Sequence, residues 1–209
     1  TAVEFAYLEP RPYAAALGEE FAPPSQPLPS TTPQWVDKQY YLGAAPLGLD
    51  SLFAGGMAGG RGDNVSIGDV EDHWYHHEDL PDCTKVQVDS AFSPSSAEHG
   101  TAVLGEMVGI DNGYGVTGLA PKAHCYTSSH QNQDVGGAIT ALANVLNPGD
   151  VILIEVHIWG PHTTPQNAPS QTGFVPAEWD PATFDAIAAA TQKGIIVVAA
   201  AGNGQENLD

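Results

Sequence analysis

Three polar residues that lie far apart in the chain have the side chains needed for nucleophilic chemistry. Asp69 follows the sequence Val-Ser-Ile-Gly, His99 precedes Gly-Thr-Ala-Val, and Asn203 follows Ala-Ala-Gly. A carboxylate can hold an imidazole in one tautomer, the imidazole can take a proton from a nucleophile, and an amide N–H can stabilise an oxyanion. We therefore interpret Asp69, His99 and Asn203 as an orienting carboxylate, a general base and an oxyanion donor.

Alternating strand and helix patterns form the scaffold that must bring these residues together. Short apolar runs bounded by Gly, Pro or Asp predict buried strands at residues 65–68, 86–88, 125–128, 151–156 and 195–200. Between them, helical spacing gives two apolar faces, one with Val135, Ile139, Leu142 and Leu146 and the other with Phe184, Ile187, Ala188 and Thr191. Asp180 and Pro181 predict a helix start, and Gly194 predicts its end.

This alternation is typical of an α/β fold in which a mainly parallel sheet is covered by helices on both faces. Functional groups gather at the carboxyl ends of the strands in such a sheet. Asp69 lies at that end of the first predicted strand, and Asn203 follows the last one. We therefore expect the three polar residues to converge on one edge of the sheet.

The composition excludes some classes of function. The chain has 209 residues, of which 42% are hydrophobic, and 25 acidic against 6 basic residues give a formal net charge of -19. Such a charge repels nucleic acid and anionic lipid, so we expect neither as a partner. No run of 18 apolar residues predicts a membrane span, and the first residues do not form a signal peptide.

The first 33 residues differ from the rest. Seven prolines lie between Pro10 and Pro33, which predicts an extended linker along a surface, and residues 3–7 alternate like a short edge strand. We expect two parts, residues 1–33 and residues 34–209.

The surroundings of the three polar residues carry a family resemblance. Residues 62–80, 99–121 and 194–209 resemble the catalytic-Asp, catalytic-His and oxyanion-Asn motifs of the subtilisin-like serine proteases, the subtilases. The resemblance implies a subtilisin-like three-layer fold and a Ser-His-Asp endopeptidase in which Asp69 and His99 are catalytic and Asn203 lines the oxyanion hole. The usual Asp-Ser/Thr-Gly is here Asp-Val-Glu. Glu71 and Asp72 are the nearest alternatives, and Asp69 is preferred because it directly ends the apolar run.

The resemblance also implies where substrate binds. Residues 153–161 resemble the Ser-Leu-Gly-Gly segment, which pairs with an extended substrate as an added strand. The predicted contacts are His157, Ile158, Trp159 and Gly160, with Ala200, Ala201 and Gly202 as a wall of the P1 pocket. Trp159 stands where the family usually has Gly and would crowd the cleft. Its alternative role is that of a core aromatic residue.

None of the serines follows Gly-Thr, the family's nucleophile motif. Four explanations are possible. The chain is part of a processed protease whose Ser-bearing C-terminal fragment stays associated, a degraded or recombinant fragment, a truncated chain, or a noncatalytic binding or scaffold protein. We favour the first, with a fold that is incomplete without the companion fragment. Residues 3–10 resemble the last strand of a subtilase propeptide, so we expect a secreted zymogen that is cleaved near Thr1 and after Asp209. The cleavage is autocatalytic or is made by another protease.

Cys83 and Cys125 fit no metal or redox motif, and we expect them to form a disulfide with Cα atoms about 4.4 to 6.8 Å apart. The proposed chemistry needs no cofactor. Family resemblance and the abundant Asp and Asn residues allow a structural calcium ion, although no dedicated loop is identifiable. His73, His76 and His77 are interpreted as a polar loop rather than a metal site.

Overall fold

The computed structural model describes residues 12–14, 32–87, 94–131 and 134–208. The predicted edge strand at residues 3–7, most of the proline-rich linker, Thr1 and Asp209 lie outside these ranges. Within them, the chain forms eight strands and four α-helices.

The strands are β1 (Pro12–Ala14), β2 (Ser66–Glu71), β3 (Thr84–Gln87), β4 (His124–Ser129), β5 (Val151–Ile154), β6 (Val156–Trp159), β7 (Phe174–Pro176) and β8 (Ile196–Ala199). The α-helices are α1 (Ser51–Gly55), α2 (Pro94–Val108), α3 (Val135–Val145) and α4 (Pro181–Gln192). Short 3-10 helices span Val36–Lys38, Tyr40–Leu42, Ala168–Ser170 and Ala177–Trp179.

A five-stranded sheet organises the chain, with the order β3-β4-β2-β5-β8 and parallel pairing throughout. β2 is the central strand, and its residue Asp69 lies level with Thr127 of β4 and Leu153 of β5. The mainly parallel α/β fold predicted from the sequence is confirmed. β2 extends through Glu71, three residues beyond the predicted end at residue 68, because polar residues that are buried continue the ladder.

Helices cover the sheet on both faces and make the fold three-layered. On one face, α3 contributes Ile139 and Leu142 to a cluster that includes Val70 and Ile152, and α4 packs beside α3. Gly68 lets α3 approach β2 closely, since a Cβ there would lie 2.8 Å from Leu142 Cδ2. On the other face, α2 supplies residues of a smaller cluster, in which Leu104 and Val108 pack with Ala123 and Cys125.

The helix ends follow the predicted capping chemistry. Asp180 accepts a hydrogen bond from the Thr183 N–H at 2.9 Å, and Pro181 is the first residue of α4. Asp134 caps α3 by accepting from the Gly137 N–H. Gly194 follows α4 with a φ of 84°, a left-handed conformation that glycine adopts without strain.

A second, smaller sheet has the order β1-β6-β7 and is antiparallel. Residue 155 separates β5 from β6, so the run predicted as one strand at residues 151–156 is divided between two sheets. No helix in the described ranges has the length and apolar character needed to cross a membrane.

Cys83 and Cys125 form the predicted disulfide, with their Cα atoms 4.6 Å apart. Cys83 lies just before β3 and Cys125 lies in β4, so the bond joins the edge strand of the main sheet to its neighbour. Cys125 is buried in the cluster beneath α2. The disulfide therefore fastens the α2 face of the sheet at its β3 edge.

Replacement of both cysteines by serine should lower the free energy of unfolding by about 3 to 4 kcal/mol, because the bond closes a loop of 42 residues in the unfolded chain. Urea denaturation of the oxidised protein and of the Cys83→Ser/Cys125→Ser variant measures the difference. Reduced wild-type protein is the control and should match the variant. A difference below about 1 kcal/mol would contradict the prediction.

Candidate active site

The central strand β2 presents two carboxylates to helix α2. Side chains alternate along a strand, so Asp69 and Glu71 share one face while Gly68 and Val70 face α3. Both carboxylates are fully buried. α2 comes close to the loop that follows β2 at Gly100, where a Cβ would lie 2.4 Å from the His73 carbonyl oxygen. This close approach brings the neighbouring residue of α2, His99, against the end of β2.

His99 is hydrogen-bonded to Glu71. The bond joins His99 Nδ1 to Glu71 Oε1, and both side chains are almost completely removed from solvent. An ionised carboxylate only accepts hydrogen bonds, so this contact places the imidazole proton on Nδ1 and makes Nε2 the basic nitrogen. The pair therefore has the arrangement that a general-base histidine requires.

Asp69 has a different partner. Its Oδ2 accepts a hydrogen bond from the indole Nε1–H of Trp74 at 2.8 Å, and its buried Oδ1 has no hydrogen-bond partner within the described residues. The sequence-based expectation that Asp69 orients His99 therefore differs from the geometry, in which Glu71 makes that contact. The physical reason is that β2 continues past Asp69 and carries a longer acidic side chain to the edge of the sheet.

Burial sets the proton affinity of the two carboxylates. Desolvation, and next the charge of Glu71, raise the pKa of Asp69 well above its usual range, although the hydrogen bond from Trp74 opposes the shift. Desolvation, and next the charge of Asp72, raise the pKa of Glu71. Burial therefore disfavours the ionised form of both carboxylates, and their hydrogen bonds to His99 and Trp74 oppose this effect.

A second histidine–carboxylate pair lies beside the first. His130 Nε2 and Asp72 Oδ1 are 2.9 Å apart, and His130 is buried. Burial alone would raise the pKa of Asp72, but its hydrogen bond and charge interaction with His130, with help from Ser96 and Gln131, lower it to about 2. Sequence reasoning did not select His130, although its position just after a predicted strand is a signal that could have identified it.

Asn203 follows β8 and is anchored from two sides. Its backbone N–H donates to Nδ1 of His157 at 3.2 Å, and its side-chain Nδ2 donates to Gln171 Oε1 at 3.0 Å. His157 is fully buried and packs against Phe174 with the ring centroids 4.4 Å apart. The segment that carries the predicted oxyanion donor is therefore held by β6 and by the loop before β7.

The residues predicted to bind substrate occupy the second sheet and the end of β8. His157 and Ile158 are buried and Trp159 is half-buried. The backbone of β6 is paired with β1 on one side and β7 on the other, which departs from the expectation that this strand offers an open edge to a substrate. Gly160 follows β6, and Ala200, Ala201 and Gly202 lead from β8 to Asn203.

Glu155, at the junction of β5 and β6, is a residue that sequence reasoning missed. It is half-buried, and its charge interacts with His99, Asp69 and Glu71. Desolvation raises the pKa of Glu155, the charge of His99 lowers it, and Glu106 raises it. An acidic residue within the apolar run of residues 151–158 was the available signal, because a charge in a buried run usually marks a functional or terminal position.

Side chains that could bind a metal ion form no cluster in the part of the chain that the structure describes. Those residues contain no group of three or more His, Cys, Asp and Glu side chains placed to hold a metal ion. The calcium ion allowed by the family resemblance stays a prediction.

The comparison with known families agrees with the fold. A family model described as the subtilase family matches residues 62–209, which include the main sheet, α2, α3 and α4. The chain therefore belongs to the subtilase family, and the family resemblance seen in the sequence is confirmed. Membership places it among the serine proteases, which are hydrolases, and subtilases are commonly secreted. No curated protein matches the chain.

The bond between Asn203 and His157 predicts a specific response to acid. Desolvation, and next the positive charge of His99, lower the pKa of His157 from 6.5 to about 4, so Nδ1 stays unprotonated and able to accept at neutral pH. The unfolded chain binds this proton at about pH 6.5 and the folded chain only at about pH 4. Stability from neutral His157 is therefore complete above pH 6.5 and decreases as the pH falls towards 4.

Thermal unfolding between about pH 7 and about pH 4 should show this loss in the wild-type protein and a smaller loss in the His157→Gln variant, which has no proton to gain at that position. His124→Gln, at an exposed position at the start of β4, is the matched control and should follow the wild type. Parallel curves for wild type and His157→Gln would show that His157 is not the group responsible.

Proposed function

We propose that the chain supplies the general base and the oxyanion donor of a serine endopeptidase that hydrolyses peptide bonds. The observation that carries the proposal is the hydrogen bond between His99 Nδ1 and a buried carboxylate of β2, at the carboxyl end of the central strand. Such a bond orients the imidazole so that Nε2 can accept the proton of a seryl hydroxyl. Asn203, in the segment that follows β8 of the same parallel sheet, is the proposed donor to the oxyanion.

The proposed reaction follows from these positions. A seryl Oγ attacks the carbonyl carbon of the peptide and its proton passes to His99 Nε2, while the β2 carboxylate stabilises the imidazolium. The tetrahedral oxyanion takes a hydrogen bond from one N–H of Asn203 Nδ2, while the other N–H can keep its bond to Gln171 Oε1. His99 then protonates the leaving amine, the C–N bond breaks, and water hydrolyses the acyl-enzyme by the reverse sequence of proton transfers.

The seryl nucleophile is proposed to come from a separate C-terminal fragment of the same precursor. The two buried serines near the end of β4 have other partners, since the Ser128 and Ser129 hydroxyls donate to the carbonyls of Ala138 and Asp72. β8 is the proposed binding site for this fragment, because within the described ranges its outer edge is unpaired. Its side chains Ile196 and Val198 are 54% and 49% exposed. An unpaired apolar edge strand is a template for further polypeptide.

The proposal includes an oxidising location outside the cytoplasm. The disulfide between Cys83 and Cys125 supports it, since disulfides persist mainly in exported proteins. The antiparallel pairing of β1 with β6 places part of the first 33 residues on the second sheet. This pairing supports the proposal that residues 1–33 include a pro-segment that remains attached after cleavage of a zymogen.

A fluorophosphonate probe tests the catalytic proposal, because it reacts with an activated seryl nucleophile. The complete protein should be labelled on the fragment that carries the serine, and His99→Ala should reduce the labelling rate at least about 10²-fold, because the general base is lost. His124→Ala, which removes an exposed histidine at the opposite end of the sheet, should label like wild type. Absence of labelling in wild type would instead support the noncatalytic binding or scaffold protein.

Asn203→Ala should lower kcat on a peptide substrate and leave KM nearly unchanged, because the oxyanion exists only during the reaction. The expected factor, about 10²- to 10³-fold, is the loss already established for the oxyanion-hole asparagine of subtilisin, a member of this family. Gln171→Ala removes the partner of Asn203 Nδ2 and is the control. It should keep kcat within about threefold of wild type, and equal losses in both variants would assign the effect to loop structure.

A further inference from the structure

The proposed protease needs one carboxylate to position its general base, and β2 offers two. We infer that Glu71, and not Asp69, is the positioning residue for His99, and that Asp69 holds Trp74 in place beside it. The inference rests on the proposed function for its catalytic meaning. The assignment of contacts does not depend on that function, because it follows from the hydrogen bonds of Glu71 and Asp69.

The position of each acid along β2 decides which one reaches the imidazole. Glu71 is the last residue of the strand and lies level with Ser129, the last residue of β4. Asp69 lies two residues earlier, about 6.6 Å deeper along the same face. Glutamate also has one more methylene group than aspartate. The longer side chain at the edge of the sheet is therefore the one that bonds Nδ1 of the imidazole.

Asp69 is hydrogen-bonded to Trp74 and not to His99. Its Oδ2 accepts from Trp74 Nε1 at 2.8 Å, and the indole lies against α2, where a Cβ on Gly100 would come within 3.0 Å of Trp74 Cδ1 and Nε1. Gly100 is the residue after His99. The bond from Trp74 to Asp69 thus fixes the aromatic ring against the turn of α2 that carries the base, and its contribution to His99 is indirect.

Burial raises the pKa of both carboxylates, so the two roles are assigned from the hydrogen bonds of Asp69 and Glu71. Burial raises the pKa of Asp69 well above its usual range, and the hydrogen bond from one indole N–H only partly opposes the shift. Glu71 has the imidazole as its partner, so its ionised form is stabilised when His99 becomes an imidazolium. The proton of the nucleophile passes to His99 Nε2 and from there to the leaving amine, and none of these transfers involves Glu71.

Glutamate is chemically competent for this role, because Ser-His-Glu arrangements work in other hydrolase folds. What a carboxylate must supply is a charged acceptor on the Nδ1 side of the ring, fixed by its surroundings. Glu71 Oε1 meets this requirement in a site where His99 is also buried.

Two isosteric substitutions test the inference in the complete protein that carries the seryl nucleophile. Glu71→Gln removes the charged acceptor and should lower kcat about 10³- to 10⁴-fold with KM within about threefold of wild type. Asp69→Asn keeps an oxygen that accepts from Trp74 and should stay within about tenfold of wild type. Glu71→Asp should recover part of the loss of Glu71→Gln. Thermal unfolding of each variant checks that it is folded before its kcat is compared.

An NMR measurement gives a readout that needs no activity. The proton between His99 Nδ1 and a carboxylate is strongly deshielded and should give a low-field resonance in wild type and Asp69→Asn. Glu71→Gln should remove it. If the wild type has this resonance and Glu71→Gln loses it, but the wild type cleaves no peptide and takes no fluorophosphonate, the proposed function is refuted and the Glu71 contact is upheld. Loss of the resonance and of kcat in Asp69→Asn, with both retained in Glu71→Gln, would overturn the inference.

Discussion

The burial of charged groups along the central strand is the constraint on which the site depends. β2 is paired on both edges and covered on both faces, so its carboxylates Asp69 and Glu71 have no access to water. A buried charge is tolerated only with partners, and α2 and the loop after β2 supply them as His99 and Trp74. The same contacts fix α2 against the sheet. Catalytic geometry and the packing of α2 are therefore two results of one requirement.

A buried histidine also links the second sheet to the loop after β8. His157 is buried in β6 and stays neutral, because desolvation and the charge of His99 lower its pKa to about 4. A neutral imidazole can accept a hydrogen bond, and the acceptor nitrogen is used by the backbone N–H of Asn203. The two histidines therefore need opposite properties. His99 needs an acidic neighbour that stabilises its charged form, whereas His157 needs an apolar site that prevents charging.

Local chemistry was readable from the sequence wherever neighbouring residues decide the outcome. Asp180 and Pro181 start α4 as predicted, because a capping acceptor and a preset φ act within one turn. The disulfide was also predicted, since Cys83 and Cys125 border strands that could be neighbours. The carboxylate that bonds His99 was not. The pattern ended the first strand at residue 68, and the choice between Asp69 and Glu71 depended on how far the strand ran and on where α2 lay.

By itself the sequence determined the order of the five main-sheet strands, the parallel α/β class, the family and the residues able to do chemistry, because apolar periodicity and residue type are properties of the chain. It did not predict the second sheet, whose strands β1 and β7 were not recognised. Only the tertiary structure decided which of these residues meet. Helix α2 reaches the end of β2 through Gly100, so His99 bonds the last acid of the strand and not the first. The tertiary structure also divides residues 151–159 between two sheets at Glu155. Residues before it pair with β2 in the main sheet, and residues after it pair with β7 in the second sheet. Distances between side chains arise from packing, which no local pattern encodes.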